Sequence, residues 1–114
     1  MIPCSVPGMA KALIRIDFDG HRLGPGKVEL MEHIAETGSI SQAAKKMDMS
    51  YRRAWLLIDE LNKMFSVHCV ETAAGGAGGG GAKITDFGRK VIGAYHALEK
   101  KIAAEVDDGF KSLK

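Results

Sequence analysis

The sequence predicts a mainly α member of the α+β class, in which helices form most of one small domain. Residues 10–20 alternate between apolar and polar side chains, a period typical of a half-buried strand. Three helical patterns follow between residues 28 and 65, and a longer fourth pattern occupies residues 86–106. Two strand-like segments flank a glycine-rich run between the third and fourth helical patterns. Together these observations predict strands at the edges of a helical core.

The length and composition suit a single cytoplasmic domain. A chain of 114 residues favours one domain, predicted at residues 10–114, after a flexible tail at residues 1–9. No apolar run approaches a membrane span, and the N-terminus lacks the apolar segment of a signal peptide. Cys4 and Cys69 are predicted to be reduced thiols, because no CxxC or HxxxH spacing indicates a metal site. The net charge of +2 leaves nucleic-acid binding open, so the positions of the charges must decide.

The predicted first strand leads through a turn, the segment HRLGPGK at residues 21–27, into a helix. Gly24, Pro25 and Gly26 are the turn-forming residues of this segment. Apolar positions from Val28 onward have helical spacing, and Gly38 is predicted to end this helix as a left-handed cap.

Residues 40–57, with the sequence ISQAAKKMDMSYRRAWLL, predict two helices joined by a tight turn. Ser39 or Ser41 is expected to begin the first helix, and Ser50 to cap the second. Asp48 lies in the turn, where a left-handed backbone is usual, and Asp is among the few residues besides glycine that tolerate it. The pattern is that of a helix-turn-helix.

Basic residues gather at the start of the second of these helices. Arg52 and Arg53 lie in its first turn, and Lys45 lies on the helix before it. Arginine is unfavourable beside the positive end of a helix dipole unless an anion binds there. A merely solvated helix face is the alternative, but the turn and cap favour entry of helix 50–65 into the major groove of DNA. Trp55 fits either an anchor between helices or a base contact.

Residues 71–85, ETAAGGAGGGGAKIT, contain a glycine run that admits three interpretations. A nucleotide cradle requires a helix directly after the glycines, whereas a strand-like segment with Lys83 follows them. An interdomain linker requires a second domain. The third interpretation is the tip of a β-hairpin, a wing at residues 70–85 that contacts the DNA backbone or minor groove. The predicted DNA-binding residues are Ser41, Gln42, Lys45, Ser50, Tyr51, Arg52, Arg53, Trp55, Gly76, Gly78, Gly79, Gly80 and Lys83.

The last helix carries a narrow apolar stripe. About twenty residues give a helix roughly 30 Å long, more than a small winged domain covers. The remainder is predicted to pair with a second copy in a two-fold dimer, although packing within its own domain is the alternative. The dimerisation stripe consists of Val91, Tyr95, Leu98, Ile102 and Val106.

The motifs GSISQAAKKMDMSYRRAW, LNKMF and VETAAGGAGGGGAKIT, the last followed by FGR, resemble the N-terminal domain of ModE-type molybdate-responsive regulators. The resemblance covers roughly residues 28–98 and implies a winged helix-turn-helix similar to the LysR type. It places residues 75–81 in the wing. It places in the recognition helix Ser50, Tyr51, Arg52, Arg53 and Trp55. Full-length members of that family carry C-terminal molybdate-binding domains, whereas this chain ends at Lys114, so a stand-alone DNA-binding domain is expected.

The leading hypothesis is a homodimeric, sequence-specific DNA-binding transcriptional regulator with double-stranded DNA as its partner. The alternative is a protein-interaction winged helix with weak or lost DNA binding. In its favour, Thr72 and Ala77 stand where the family often has basic residues. An enzyme is disfavoured, because no paired carboxylates, nucleophile with a base or metal-ligand spacing is present. No cofactor is expected.

Overall fold

The computed structural model describes residues 10–72 and 81–113, and these form two antiparallel strand pairs and four α-helices. The predicted tail and the wing residues Gly76, Gly78, Gly79 and Gly80 lie outside the described residues. In chain order the elements are β1 (Ile16–Phe18), β2 (His21–Leu23), α1 (Pro25–Thr37), α2 (Ile40–Lys46), α3 (Tyr51–Met64), β3 (Val70–Thr72), β4 (Ala82–Ile84), α4 (Asp86–Phe110) and a 3-10 helix (Lys111–Leu113). The mainly α winged helix-turn-helix predicted from the sequence is confirmed.

The N-terminal region differs from the single predicted strand. β1 and β2 form a tight hairpin, with Ile16 opposite Leu23. Asp19 and Gly20 occupy its two-residue loop with φ angles of 51° and 87°. An Asp-Gly pair is a strong hairpin signal because both loop residues need a positive φ. The expectation of a turn from residue 21 onward was therefore wrong, because the chain turns two residues earlier and then re-enters a strand.

Helix α1 begins at Pro25, three residues before the predicted start. Proline suits the first helical position, because the amide hydrogen it lacks would have no partner within the helix. At the other end Gly38 adopts φ 69° and donates its N–H to the carbonyl of Ile34, which confirms the predicted left-handed cap. The carbonyl of Gly38 in turn accepts a hydrogen bond from the amide of Ala82, so the end of α1 holds the start of β4.

Serine caps fix both helices of the helix-turn-helix. The Ser39 hydroxyl accepts from the amide of Gln42, and the Ser50 hydroxyl accepts from the amide of Arg53. Asp48 has φ 55°, the left-handed conformation predicted for the turn. Ala44 and Ala54 are buried, so small side chains allow α2 and α3 to approach closely. The orientation of α3 therefore rests on two caps and a left-handed turn residue.

The core lies between the three helices α1 to α3, the second strand pair and the first half of α4. Asn62 joins α3 to β3, because its side-chain amide donates to the carbonyl of Val70 and accepts from the amides of Cys69 and Val70. Burial raises the pKa of the Cys69 thiol to about 11, so the thiol stays protonated at neutral pH. None of the helices formed by residues 10–72 and 81–113 is long and apolar enough to cross a membrane.

Part of the predicted dimerisation stripe on α4 packs within the domain itself. Val91 and Tyr95 are 9% and 2% exposed and belong to the domain's own core. The Tyr95 hydroxyl donates to the carbonyl of Ile14 at 2.7 Å, because the chain before β1 runs along this helix. Further along, the Ala10 amide donates to a carboxylate oxygen of Asp107. The segment before β1 therefore runs beside α4 between Tyr95 and Asp107.

Candidate nucleic-acid interface

The outer face of α3 is exposed where the sequence predicts the site. Ala54, Ile58 and Leu61 turn inward and are buried. Arg52 and Arg53 turn outward and are exposed, as predicted for a helix that presents its first turn to another molecule. Residues three and four apart lie on the same side of a helix, so these three apolar residues share the buried side of α3 and the two arginines lie on its exposed side.

Four basic residues lie around this face, and only one of them forms an ion pair within the described residues. Within the described residues, Lys45, Arg52 and Arg53 form no ion pair and no side-chain hydrogen bond. The neighbouring Lys46 does, because its ammonium lies 2.5 Å from a carboxylate oxygen of Glu36 on α1. That hydrogen bond lowers the pKa of the Glu36 carboxyl. The fold thus neutralises the cation that points toward α1 and leaves those at the start of α3 available.

The N-terminus of α3 adds to this positive field. The Ser50 hydroxyl accepts a hydrogen bond from the Arg53 amide. The peptide dipoles of this fourteen-residue helix also place a partial positive charge at its N-terminus. Two arginines placed there raise the potential further and are destabilising without an anion. A phosphate or the acceptor edge of a base would complete the arrangement.

Aromatic residues line one side of the same helix. The Trp55 indole N–H donates to the Tyr51 hydroxyl at 2.9 Å, and this bond fixes both rings one turn apart. Tyr51 is 52% exposed and Trp55 is 38% exposed. Trp55 is therefore not the buried anchor between helices that the sequence left as one alternative.

A groove of about 800 Å³ separates this side of α3 from the second strand pair. Trp55, Asp59 and Asn62 line it on the helix, and Lys83 lines it on β4. Lys83 lies opposite Glu71 in the strand register and is exposed. The predicted wing contact Lys83 therefore shares one concave surface with the recognition helix, although the intervening glycines lie outside the described residues.

The predicted contacts on α2 lie beside this surface. Ser41, Gln42 and Lys45 are exposed, whereas Ala43 and Ala44 between them are buried. Ser41 and Lys45 are one turn apart and lie on the same side of α2. The structure thus brings α2 and α3 together as predicted, with the exposed side of α2 flanking the outer face of α3.

Sequence reasoning overlooked Leu56. This residue is 59% exposed and follows Arg52 by four positions on the outer face of α3. Helical spacing alone predicts that position, because residues four apart share a face. Residues 10–72 and 81–113 contain no cluster of three His, Cys, Asp or Glu residues with metal-site geometry.

A helix-turn-helix with a following strand pair, and exposed arginines at the start of its second helix, defines a winged helix-turn-helix domain. Residues 26–89 match the family described as bacterial regulatory helix-turn-helix protein, LysR family. The match spans more than half of the chain, so the chain belongs to this family of transcriptional regulators. The predicted class of protein, a DNA-binding regulator domain, is confirmed.

Similar curated proteins carry related names. The molybdenum-pterin-binding protein MopB of Rhodobacter capsulatus is 40% identical over 98 residues, which cover 86% of this chain and 36% of that protein. The molybdenum transport protein ModE of Azotobacter vinelandii is 38% identical over 84% of this chain and 36% of its own length. The DNA-binding transcriptional dual regulator ModE of Escherichia coli K12 is 46% identical over 74 residues, or 65% of this chain and 28% of that regulator. The chain thus spans about a third of the length of these relatives, and the ModE-like resemblance is confirmed over that span.

Proposed function

We propose that this chain binds a specific duplex sequence by inserting the N-terminal half of α3 into the major groove. The observation that carries the proposal is the pair Arg52 and Arg53, exposed and without acidic partners among the described residues, in the first turn of a serine-capped helix. A recognition helix in this fold presents its N-terminal residues to base edges. Arginine suits that place, because its guanidinium binds guanine or phosphate through two parallel hydrogen bonds.

The strand pair β3–β4 contacts the DNA backbone or the minor groove beside α3. Its exposed Lys83 supports this part of the proposal, because lysine contributes to phosphate binding as a point charge. Ser41, Gln42 and Lys45 on α2 approach the backbone on the other side. These contacts set the register of the domain on the duplex, while α3 reads its sequence.

The names of the matched relatives refer to molybdenum and to its transport. We place the regulated genes in the same area of metabolism, with the domain acting in the cytoplasm. The shared span contains the helix-turn-helix, so the proposal carries over DNA binding rather than the binding of a molybdenum compound.

A two-fold dimer completes the proposal and rests on the second half of α4. Leu98 and Val106 are 38% and 36% exposed, and Ile102 lies between them on the same side of the helix. This side continues the stripe that Val91 and Tyr95 bury within the domain. A helix of 25 residues extends about 37 Å, so its last turns reach beyond the core that covers its start. Pairing with a second α4 would bury these side chains and present two recognition helices about one DNA turn apart.

Fluorescence anisotropy over a salt series tests DNA binding directly. The probe is a duplex enriched by the wild-type chain from a random library, and scrambled duplex is the competitor. We expect affinity to fall steeply with salt, and Arg52→Ala/Arg53→Ala to lose about 1–3 kcal/mol for each arginine that contacts a base. Lys100→Ala/Lys101→Ala removes the same charge from exposed positions on α4 and is the matched control.

Equal loss in both double variants would mean that only net charge matters and that α3 is not the reading element. Absence of binding at low salt would overturn the DNA function and leave the surface to another protein. Sedimentation velocity tests the dimer separately. We expect a wild-type dimer, dissociation by Leu98→Asp/Val106→Asp, and no change with Val67→Asp, which places a charge at an exposed site outside α4.

A further inference from the structure

Leu56 occupies the middle of the surface that α3 offers to DNA. The residues at this outer face are spaced by four, three and four positions, and they are Arg52, Leu56, Asp59 and Lys63. Leu56 is 59% exposed and is the one aliphatic side chain in the set. A single exposed leucine is common on protein surfaces. Here, however, it adjoins two exposed arginines at the positive end of a recognition helix.

We infer that Leu56 is a specificity-determining residue that packs against the methyl group of a thymine in the major groove. The inference rests on the proposed function and adds which base the helix selects. Of the four bases, only thymine presents an apolar group on the major-groove edge, and apolar side chains contact it. Packing a leucine against polar base edges that lack such a methyl group gives no favourable hydrophobic free energy.

The charges around Leu56 favour duplex DNA as the occupant of this surface. Arg52 lies one turn earlier, about 6 Å along the helix axis. That distance is comparable to two base-pair steps of about 3.4 Å, so both side chains fit within one half-site. The carboxylate of Asp59, one turn later, lies 2.9 Å from the ammonium of Lys63. Lys63 thus offsets the acidic charge on this face, which would otherwise repel the phosphates.

The aromatic pair beside Leu56 restricts where its side chain can go. The Trp55 ring lines the side of α3 that faces the strand pair, and its indole N–H donates to the Tyr51 hydroxyl. Leu56 lies about 100° further around the helix than Trp55. When the outer face of α3 docks against DNA, Leu56 therefore faces the base edges at the floor of the major groove. This arrangement assigns Leu56 to the bases and leaves the two rings for the sugar-phosphate backbone.

Deoxyuridine substitution tests the contact on the duplex enriched by the wild-type chain. Each thymine is replaced singly by deoxyuridine, which keeps base pairing and the O4 acceptor and removes only the methyl group. We expect one position in each half-site at which wild-type affinity falls about fourfold, the effect of burying one methyl group. Leu56→Ala should bind the parent duplex more weakly and should be insensitive to deoxyuridine at that position alone.

Val67→Ala is the matched control, because Val67 is 50% exposed but lies in the loop after α3. It should keep the wild-type response to every deoxyuridine. Circular dichroism checks that Leu56→Ala keeps the fold, as expected for an exposed helical site. A selected duplex that tolerates deoxyuridine everywhere overturns this inference and leaves the proposed function intact. Failure to enrich any duplex overturns both, and Leu56 would then belong to a protein-binding surface.

Discussion

The face formed by α2 and α3 and the face formed by α1 and α4 differ in which of their charged side chains are paired. On the first, Lys45, Arg52 and Arg53 have no acidic partner among the described residues. On the second, the His96 ring lies within 2.8 Å of Glu32 on α1 and 2.7 Å of Glu99 on its own helix. His33 likewise lies between two glutamates of α1, each 3.5 Å away.

Paired cations hold elements of the fold together, whereas the unpaired arginines at the start of α3 are available for binding. Paired groups join elements, as His96 does for α4 and α1. Unpaired arginines at a helix N-terminus oppose the dipole and therefore cost stability. A sequence that keeps them there supports a use outside the folding of this domain. Variants on the two faces should accordingly separate stability from DNA binding.

The largest effect is expected at the start of α4, where the helix packs against the residue before β3. A Cβ on Gly88 of α4 would collide with the carbonyl oxygen of Cys69, which also accepts a hydrogen bond from the Thr85 amide at 3.0 Å. Backbone cannot yield as a flexible side chain does, so Gly88→Ala should lower the free energy of unfolding by about 3 kcal/mol. Urea denaturation measures this loss.

Gly93, one and a half turns later on α4, provides the control. A Cβ there meets nothing within 4 Å, so Gly93→Ala should raise stability by about 0.5–1 kcal/mol through helix propensity. Equal stability of the two variants would contradict the close contact between α4 and the residue before β3.

A smaller loss is expected at Lys27, the one charged residue in the buried set of residues 10–72 and 81–113. Its ammonium donates to the carbonyl of Arg22 and lies 2.9 Å from a carboxylate oxygen of Glu60, whose pKa this hydrogen bond lowers. Lys27→Met should cost about 2 kcal/mol, because both partly buried acceptors lose their donor. Lys46→Met removes an exposed pair instead and should cost less than about 1 kcal/mol.

Thermal denaturation monitored by circular dichroism distinguishes these two lysine variants. DNA binding by Lys27→Met should remain near wild type at temperatures where it is folded. If Lys46→Met proved as destabilising as Lys27→Met, burial would not be what separates the paired cations.

The turn between α2 and α3 should show an effect of about 1 kcal/mol. Asp48 has φ 55°, where Ala is strained and Gly is not, so Asp48→Ala should be less stable than Asp48→Gly by about that amount. Chemical denaturation of the two variants gives the difference. Equal midpoints would place the turn outside the left-handed region.

The smallest effect concerns the pH dependence of the α1–α4 face. Hydrogen bonds first to Glu32 and then to Glu99 raise the pKa of His96 above its usual 6.5. The folded state therefore favours the protonated ring, and its contribution is complete below pH 6.5 and lost as the pH rises through the folded pKa. Both His96 and Glu32 are close to half exposed, so solvent screening keeps the contribution below about 1 kcal/mol.

Melting temperatures measured at intervals from about pH 6 to about pH 9 test this sign. The wild type should lose slightly more stability than His96→Gln over that range. A His96→Gln variant with the same pH profile would show that another group dominates the titration.

Much of the fold could be predicted from the sequence because its signals are local. Ser39, Ser50, Asp48 and Gly38 act on backbone groups within four residues, and the structure confirms each of these predictions. The hairpin loop at Asp19 and Gly20 is equally local and was missed, since the alternating pattern before it was extended across the turn. The exposed position of Leu56 also follows from helical spacing alone.

What the sequence by itself determined is the helix-turn-helix and the basic start of α3, since caps, periodicity and charge position act over short distances. Only the tertiary structure decided which residues of the apolar stripe on α4 are buried within the domain. Val91 and Tyr95 are buried in the core, and the chain at residues 10–14 returns to α4, where the Tyr95 hydroxyl meets the carbonyl of Ile14 across 81 positions. No local pattern reports a contact of that separation, because it depends on how the whole chain closes upon itself.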